Sequence, residues 1–509
     1  MASAPDISPL TGTKLLVAGF VLAATNFMVV LDTTIANVSV PHISGGLGVS
    51  TTQGTWVITS YSVAEAICVP LTGWLVRRFG TVRVFLSAII GFAIFSFLCG
   101  LAPTLGTMVA FRIGQGFCGG PLMPLTQTLL LRIFPKEKHG MAMGVWAMTT
   151  VTAPILGPIL GGTISDNWSY PWIFFINLPI AAICTFGVFT LLRQTETKTE
   201  IVPIDGIGLA MMVIWISALQ IMLDVGREND WFGSNFIIGC AIVAGIGFVA
   251  FLIWELTEGN PIVDLRVFRH RGFTVGVIAL ACAFGTYFSS VVIIPQWLQA
   301  TMGYTATDAG YVTAFNGVLA VAASPLVAKL SGKVDPRALV FFGVFWLGLT
   351  SVLRTYWFSG VDFWILAFPQ LLQGLGVPFF IIPLTIIALG AVKPEETAAA
   401  AGVMNFLRTL AAAVGTSVAT TLWQDHAVVD RANLVGILNH PEGTVALAQQ
   451  SGLSAEQGRG LIERLVDQES FALSTNYVFL VSAMLFFFAA GIIWLAPRPK
   501  GKVDTSAAH

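Results

Sequence analysis

The sequence predicts an all-α polytopic membrane protein with 14 transmembrane helices, arranged as two six-helix bundles and two additional helices. Three observations support this fold class. Charged residues form only 10% and apolar residues 55% of the 509 residues, whereas soluble domains contain roughly 25% charged residues. Apolar segments of about 20 residues, the length that a helix needs to cross a bilayer, recur along the chain. Short motifs of the first half also return in the second half.

Fourteen apolar segments are long enough to be membrane spans. We place them at 15–39, 54–75, 82–101, 107–131, 140–163, 171–192, 205–224, 234–255, 273–298, 308–330, 338–358, 362–390, 398–424 and 472–496. The predicted units are an N-terminal segment at 1–14, an N-terminal six-helix bundle at 15–192, two additional helices at 205–255, a C-terminal six-helix bundle at 273–496 that includes an outer loop at 425–468, and a C-terminal tail at 497–509.

The orientation follows from Lys and Arg, which concentrate in the cytoplasmic loops of membrane proteins. An even number of spans puts both termini on the same side. With the N-terminus inside, 19 of the 26 basic residues fall on the cytoplasmic side. The other seven are Arg112 and Arg408 within spans, Arg227 and Arg354 near short outer turns, and Arg431, Arg459 and Arg464 in the outer loop. We therefore expect both termini to be cytoplasmic.

The two halves of the chain repeat each other. Gln115-Gly116 returns as Gln373-Gly374, 258 residues later, and each pair is followed by a Pro-Leu-Thr triplet. Gly144-Val145 and Gly402-Val403 keep the same offset of 258. Helices 1–6 therefore match helices 9–14, and helices 7 and 8 are the extra pair. Two similar halves with a site between them near the membrane midplane are typical of transporters that work by alternating access.

Asp32 is the most informative single residue. It lies in the first span, where a carboxylate is tolerated only if it faces a polar cavity, has a partner or exchanges a proton. Thr33, Thr34 and Asn37 give the helix a polar face beside it. We therefore expect a lumen and a role for Asp32 with protons or substrate. The alternative is a structural anchor that binds the backbone of a neighbouring helix.

Three further charged residues lie well inside predicted spans, away from the span ends. Arg112 stays charged and needs an acceptor at that depth. Asp32 or backbone carbonyls of the first helix are the candidates, in either a proton-coupling pair or a structural clamp. Arg408 is a second buried cation that could meet an anionic substrate or pair across the halves. Glu65 is a second protonation site or cation-binding group if it faces the lumen, and otherwise it pairs locally.

Aromatic residues supply candidates for an apolar substrate cavity. Most of the 37 Phe and 14 Trp residues must face lipid or other helices. The candidates are Phe27, Trp56, Trp146 and Phe406, together with the polar residues Asn37 and Arg408.

Several function classes are not indicated. The six cysteines lie in apolar runs without metal-type spacing, and the six histidines are dispersed. No Gly-x-x-x-x-Gly-Lys-Ser/Thr phosphate loop occurs, and a formal net charge of −1 gives no nucleic-acid signal. We therefore expect neither an enzyme nor a catalytic residue, a metal site or a bound cofactor.

Four motifs resemble the major facilitator superfamily, and within it the 14-span drug:proton antiporters. The first is Leu31–Val38 of helix 1, and the second is Gly73–Gly80 between helices 2 and 3, with Gly73, Arg77, Arg78 and Gly80. The third is Arg112–Gly116 of helix 4. The fourth is the antiporter motif Ala153–Gly162 of helix 5, which includes Pro154, Gly157, Pro158, Gly161 and Gly162. Two positions depart from the family: Arg77 replaces an acid, and Glu65 replaces a neutral residue.

The resemblance implies a major facilitator fold and an inner-membrane pump that exports hydrophobic toxic compounds, often uncouplers or anions, driven by proton entry. The likeness narrows to pumps of Gram-negative tripartite systems. It therefore also implies a periplasmic adaptor of the EmrA type and an outer-membrane channel of the TolC type. The alternatives are a narrow-specificity metabolite exporter and a transporter-like sensor or membrane enzyme without flux.

The outer loop at 425–468 is the largest predicted segment outside the membrane. Leu461, Ile462 and Leu465 share one helical face within it. Loops of this length are usually functional or disordered. We expect this loop to dock an adaptor, and the alternative is a short helix that rests on the membrane surface.

The predicted topology can be tested with single cysteines in a variant whose six native cysteines are replaced. A cysteine in the loop at 425–468 should react with an impermeant thiol reagent in intact spheroplasts, because that loop is expected outside. A cysteine in the 77–83 loop is the control and should react only in inverted vesicles. The reverse pattern of labelling contradicts the model.

Overall fold

A computed structural model describes residues 12–135, 138–201, 203–227, 229–438 and 454–497, with residues 442, 445, 449 and 450. This part of the chain is a bundle of α-helices and contains no β-strand. The helices are α1 (Gly12–Leu47), α2 (Thr51–Gly54), α3 (Trp56–Phe79), α4 (Thr81–Gly100), α5 (Leu105–Gly119), α6 (Leu122–Ile133), α7 (His139–Asn167), α8 (Trp172–Phe175), α9 (Asn177–Leu191), α10 (Gly206–Val225), α11 (Asn235–Thr257), α12 (Arg271–Ala300), α13 (Ala306–Leu330), α14 (Pro336–Arg354), α15 (Phe363–Gly390), α16 (Thr397–Ile437) and α17 (Ala455–Ile492).

The helix starts follow from local sequence signals. Thr104 and Thr107 form a reciprocal capping box at the start of α5, which satisfies backbone N–H groups that lack an intrahelical partner. The Asp205 side chain accepts a hydrogen bond from the backbone N–H of Gly208 at 2.9 Å and caps α10. Pro336 occupies the first turn of α14, where its missing N–H carries no penalty.

Eleven helices of the described residues are long and apolar enough to cross a membrane. The number is twelve if the bent pair His139–Pro154 and Leu156–Ser165, at 40°, is one span. The chain is therefore a multi-pass membrane protein. The predicted number of 14 stays a prediction, because α3 carries Glu65, Arg77 and Arg78 and because α5 and α6 are each short.

The two halves meet mainly where α7 packs against α13 and where α3 packs against α16. α7 also contacts α15, and α6 also contacts α16. The additional helices α10 and α11 pack on each other, and α10 also contacts α3 and α16. The extra pair therefore borders the contact between α3 and α16, although the predicted domain boundaries themselves stay a prediction.

The sequence repeat corresponds to a repeated close contact. A Cβ atom on Gly116 would lie 2.4 Å from the carbonyl oxygen of Tyr61 in α3. A Cβ atom on Gly374 would lie 2.0 Å from the carbonyl oxygen of Asn316 in α13. Both glycines let two helix backbones approach, as small residues do in membrane bundles. The Gln-Gly pair is thus a packing element of each half.

We call the end of the bundle that carries Arg77, Arg78 and Arg83 the basic end. The halves are closely packed there. A Cβ atom on Gly73 would lie 2.9 Å from the Cα atom of Ala399, and one on Gly140 would lie 2.5 Å from the carbonyl oxygen of Ala328. Both contacts join an N-terminal helix to a C-terminal one, so small residues bring the halves together at this end.

The predicted outer loop is largely helical. α16 has 41 residues and α17 has 38, which is about 60 Å and 57 Å of helix against a hydrocarbon core of about 30 Å. The two helices therefore extend beyond the predicted membrane spans, which end at 424 and begin again at 472. Residues 439–441, 443–444, 446–448 and 451–453 of the loop lie outside the described residues.

We call residues 425–437 and 455–471 the projecting hairpin. Ion pairs hold its two arms together: Arg431 Nε lies 2.6 Å from Asp467 Oδ1, and Arg431 Nη2 lies 3.2 Å from Glu463 Oε1. Its base is fixed to the bundle, because Gln468 Nε2 donates to the carbonyl oxygen of Thr301 at 2.8 Å. The hairpin is thus an ordered extension of the second half.

A pair of substitutions on α15 tests the close contact. Gly374→Ala should destabilise the protein by about 1–3 kcal/mol, because the added methyl group collides with the backbone of α13. Gly390→Ala is the matched control, because its Cβ atom meets nothing within 4 Å and alanine favours the helix by about 0.5–1 kcal/mol. Thermal unfolding of the purified protein measures both. Equal unfolding midpoints for the two variants would contradict the close contact between Gly374 and the backbone of α13.

Candidate functional site

Asp32 and Arg112 form a buried ion pair in the first half. Asp32 lies on α1 with 2% of its surface exposed, and Arg112 lies on α5 with 0% exposed. Arg112 Nη1 donates to Asp32 Oδ2 at 2.8 Å. The structure thus brings together the two residues that the sequence analysis proposed as partners. The pair is inside the first bundle and does not lie on an open lumen.

Two amides complete the binding of the carboxylate. Gln115 Nε2 and Asn177 Nδ2 donate to Asp32 Oδ1 at 3.0 and 2.6 Å. Gln115 Oε1 in turn accepts from Arg112 Nη1 at 2.8 Å, and Asn177 Nδ2 also donates to Ser96 Oγ at 3.1 Å. All neighbours of the carboxylate therefore act as donors, which is the arrangement that binds an ionised acid. We call Asp32, Arg112, Gln115 and Asn177 the Asp32 site.

Arg112 has further contacts on α3. Its Nε atom donates to the carbonyl oxygen of Val57 at 3.1 Å, and its guanidinium lies 4.2 Å from the centroid of the Tyr61 ring. Its Nη2 atom has no hydrogen-bond partner among the described residues. α3 packs against α16 of the second half. Arg112 therefore connects Asp32 to a helix at the interface between the halves.

The sequence analysis did not predict these polar partners. Gln115, Asn177 and Ser96 lie on three different helices, and the sequence of an apolar span does not show which neighbouring helix its polar residues contact. Gln115 belongs to a repeated pair, and this repetition was the available signal. Asp224 of α10 was missed too, and it accepts from Gln220 Nε2 at 3.0 Å.

The remaining polar residues of helix 1 take different positions. The Thr34 hydroxyl donates to the backbone of its own helix at Val30, at 3.0 Å. Thr33 is partly exposed and Asn37 is exposed. The predicted polar face beside Asp32 therefore divides: the acid is buried, and Asn37 is exposed.

Arg408 occupies a second site between the halves. It lies on α16 with 5% of its surface exposed, and its guanidinium is 5.2 Å from the ring centroid of Trp146 and 5.0 Å from that of Phe284. Its Nη2 atom contacts Met123 Sδ, and its Nε atom has no partner among the described residues. Glu65 is partly exposed and close enough for its charge to act on Arg408. We call these five residues the central cluster.

A hydrogen bond joins the halves beside the central cluster. Asn405 Nδ2 on α16 donates to Gln127 Oε1 on α6 at 2.6 Å. Both side chains are buried. This contact between the halves was not foreseen, because neither residue belongs to a recognised motif.

The four candidate aromatic residues have different surroundings. Trp146 is 1% exposed. Phe406 lines a void of about 10 Å³ between α3, α10 and α16, which is the size of one water molecule. Phe27 packs in a separate apolar cluster, and Trp56 is 38% exposed at the start of α3. Among them, Trp146 belongs to the central cluster.

The antiporter motif packs α7 against α1 next to the Asp32 site. A Cβ atom on Gly157 would lie 2.2 Å from Thr34 Oγ1, and one on Gly161 would lie 3.2 Å from the carbonyl oxygen of Ile35. Gly162 faces open space. The bend of α7 lies within this motif, between Pro154 and Pro158, as expected where prolines remove backbone hydrogen bonds.

The loop motif at the basic end is fastened to its own half. Gly80 has a φ of +93°, which favours glycine. Arg77 Nη2 lies 3.8 Å from Glu200 Oε2, and both side chains are exposed. The carboxylate partner of this loop therefore comes from the segment after α9. Arg78, the next residue of the motif, is partly exposed.

Comparison with known proteins identifies the class. The sequence profile of the Major Facilitator Superfamily matches residues 22–416, and the chain belongs to that superfamily. It is 44% identical over 498 residues to the multidrug export protein EmrB of Escherichia coli K12, covering 97% of both chains. It is also 44% identical to the fatty acid resistance protein FarB of Neisseria gonorrhoeae, covering 97% of this chain and 98% of that one.

A solved structure supports the fold. The human organic anion transporter MFSD10 (TETRAN) superposes with a TM-score of 0.57 at 15% sequence identity, covering 94% of this chain and all of that one. The likeness confirms the predicted major facilitator fold.

Proposed function

We propose that this chain is a proton-coupled multidrug efflux transporter that exports hydrophobic toxic compounds by alternating access. The observation that carries the proposal is the buried ion pair between Asp32 and Arg112, together with the printed functions of relatives at 44% identity. The proton gradient supplies the energy, and the proposal requires neither a cofactor nor a chemical reaction.

In this proposal Asp32 couples the proton to a conformational change. A proton on the carboxylate cancels its charge and breaks the ion pair with Arg112. Arg112 cannot lose its own proton, so it must find another acceptor in a medium where an unpaired charge costs several kcal/mol. Arg112 contacts α3 and Asp32 lies beside the contact of α1 with α7. Breaking the pair therefore loosens helices that meet the second half.

The central cluster is the proposed place of the substrate. It lies between the halves, and it combines a cation with the aromatic surfaces of Trp146 and Phe284. Hydrophobic compounds gain free energy from aromatic contact, and an arginine favours those that carry a negative charge. Glu65 on the facing helix α3 supplies an acid, which favours compounds that carry a positive charge.

We further propose an inner-membrane location with both termini cytoplasmic, and a tripartite system with an EmrA-type adaptor and a TolC-type channel. The projecting hairpin supports this part. Its exposed side chains include Val428 at 70%, Val435 at 50%, Leu461 at 46% and Leu465 at 52%. An ordered, partly apolar hairpin beyond the membrane offers a surface on which helical segments of a partner can pack.

Asp32→Asn should insert normally and lose proton-driven efflux, because an amide cannot be protonated near neutral pH. The measurement is drug accumulation in inverted vesicles under an imposed pH gradient, which should fall to the level of vesicles without the protein. Asp230→Asn is the control: Asp230 is exposed with a φ of +58°, which asparagine accepts. Gradient-driven accumulation by the Asp32 variant at normal levels rules out Asp32 as the coupling acid.

Arg112→Lys should retain partial efflux and Arg112→Ala should lose it. Lysine keeps the charge but cannot reach Asp32, Gln115 and Val57 together with one planar fork of donors. The same vesicle assay at equal expression gives the ranking. Full activity in Arg112→Ala contradicts the role of the pair.

The hairpin can be tested with a triple variant, Val428→Ser, Val435→Ser and Leu461→Ser. It should transport normally in proteoliposomes but reduce drug resistance in cells, where the compound must cross two membranes. Glu456→Gln on the same hairpin is the control for surface changes in general. Unchanged resistance in the triple variant, at equal expression, removes the hairpin from the proposed partner contact and leaves the transport proposal intact.

A further inference from the structure

The second half contains another buried arginine, which has no carboxylate partner among the described residues. Arg354, the last residue of α14, is 0% exposed. Its Nη2 atom donates to Gln370 Oε1 at 2.9 Å and to Gln373 Oε1 at 2.5 Å, both on α15. The described residues place no Asp or Glu within ion-pair distance of it. The sequence analysis put Arg354 near an outer turn and missed its burial.

Among the described residues, no carboxylate compensates this charge. A guanidinium stays protonated in proteins, and an uncompensated buried charge costs several kcal/mol. The rings of Trp357 and Phe479 lie 5.9 and 5.4 Å from the guanidinium carbon. Cation–π contacts of this kind contribute about 0.5–2 kcal/mol, and neutral amide oxygens carry no net charge. A negative charge is therefore expected at this place.

The unpartnered groups around Arg354 are mostly donors. Native proteins leave few buried polar atoms without a partner. Here five donors lack a hydrogen-bond partner among the described residues: Arg354 Nε and Nη1, Gln370 Nε2, Gln373 Nε2 and Trp357 Nε1. One acceptor in the same cluster, Asn316 Oδ1, lacks a partner too. Several donors around one cation form a site for an acceptor of negative charge.

The sequence repeat shows what has changed between the halves. At the offset of 258 that relates Gln115 to Gln373, Gln370 corresponds to Arg112. The second half thus has a buried arginine beside the repeated glutamine, but supplies it from the neighbouring helix. Arg112 has the carboxylate of Asp32 at 2.8 Å, whereas Arg354 has no carboxylate partner among the described residues.

We propose that Arg354, Gln370 and Gln373 bind a small inorganic anion, with chloride as the physiological candidate, and that this anion replaces the carboxylate of the Asp32 site in the second half. The three residues are at most 2% exposed, which favours a monatomic ion over the carboxylate of a drug-sized compound. This inference does not depend on the proposed function.

The test is thermal unfolding of the full-length purified protein in increasing chloride, with gluconate as the replacing anion at constant ionic strength. The wild-type midpoint should rise and saturate, because a ligand that binds only the folded state stabilises it. Bromide should have the same effect, and its anomalous scattering in crystals should place it beside Arg354.

Two variants and a control assign the effect to the site. Arg354→Gln should lose the chloride dependence because it removes the cation. Gln370→Glu places a carboxylate oxygen where the amide oxygen lies 2.9 Å from Arg354 Nη2. This variant should therefore be stable without chloride, and its unfolding midpoint should not change when chloride is added. Arg459→Gln removes an exposed arginine of the projecting hairpin and should keep the wild-type dependence. If Arg354→Gln does not fold, Gln370→Glu carries the test alone.

Three results would overturn the proposal. The first is a wild-type midpoint that is equal in chloride and gluconate. The second is a chloride dependence that persists in Gln370→Glu. The third is a shift produced by an anionic drug in chloride-free buffer and lost in Arg354→Gln, which would assign the site to substrate.

Discussion

The fold depends on how charge is compensated inside a membrane-spanning bundle. Water is scarce there, so each buried charge must obtain its partners from other helices. Asp32 draws on α5 and α9, and Arg112 draws on α1 and α3. One ion pair therefore fixes the relative positions of four helices. A pair with this many connections is also a point at which a single proton can alter packing over a large part of the first half.

The sequence predicted the parts of the structure that depend on composition and spacing. Apolar segments predicted the helices. Two charges in a hydrocarbon setting made Asp32 one of two candidate partners of Arg112, beside backbone carbonyls of the first helix. The amide ligands of Asp32 could not be predicted, because Gln115 and Asn177 lie far apart in the chain and uncharged polar residues are common in such helices. The burial of Arg354 was missed for a related reason: a cation at a helix end looks like a surface residue until the packing is known.

The projecting hairpin shows a different limit of the sequence. The polar composition of residues 425–468 indicates that this segment lies outside the membrane, and the sequence analysis predicts a loop there. Composition reports the solvent around a segment, whereas helix formation depends on backbone hydrogen bonds that polar residues also allow. α16 and α17 therefore continue beyond the apolar stretch without a break in the described residues, and ion pairs at Arg431 and Asp467 replace apolar contact as the link between them.

The continuity of α16 joins two distant places mechanically. The same helix carries Arg408 between the halves and ends at Ile437 on the projecting hairpin, so the two residues are 29 positions and about 43 Å apart along one rod. If the rod pivots at Arg408, a tilt of about 10° moves its tip by about 7 Å. A partner that holds the tip therefore acts with a long lever arm on the centre of the molecule, and a small rearrangement around Arg408 becomes a large displacement outside the membrane.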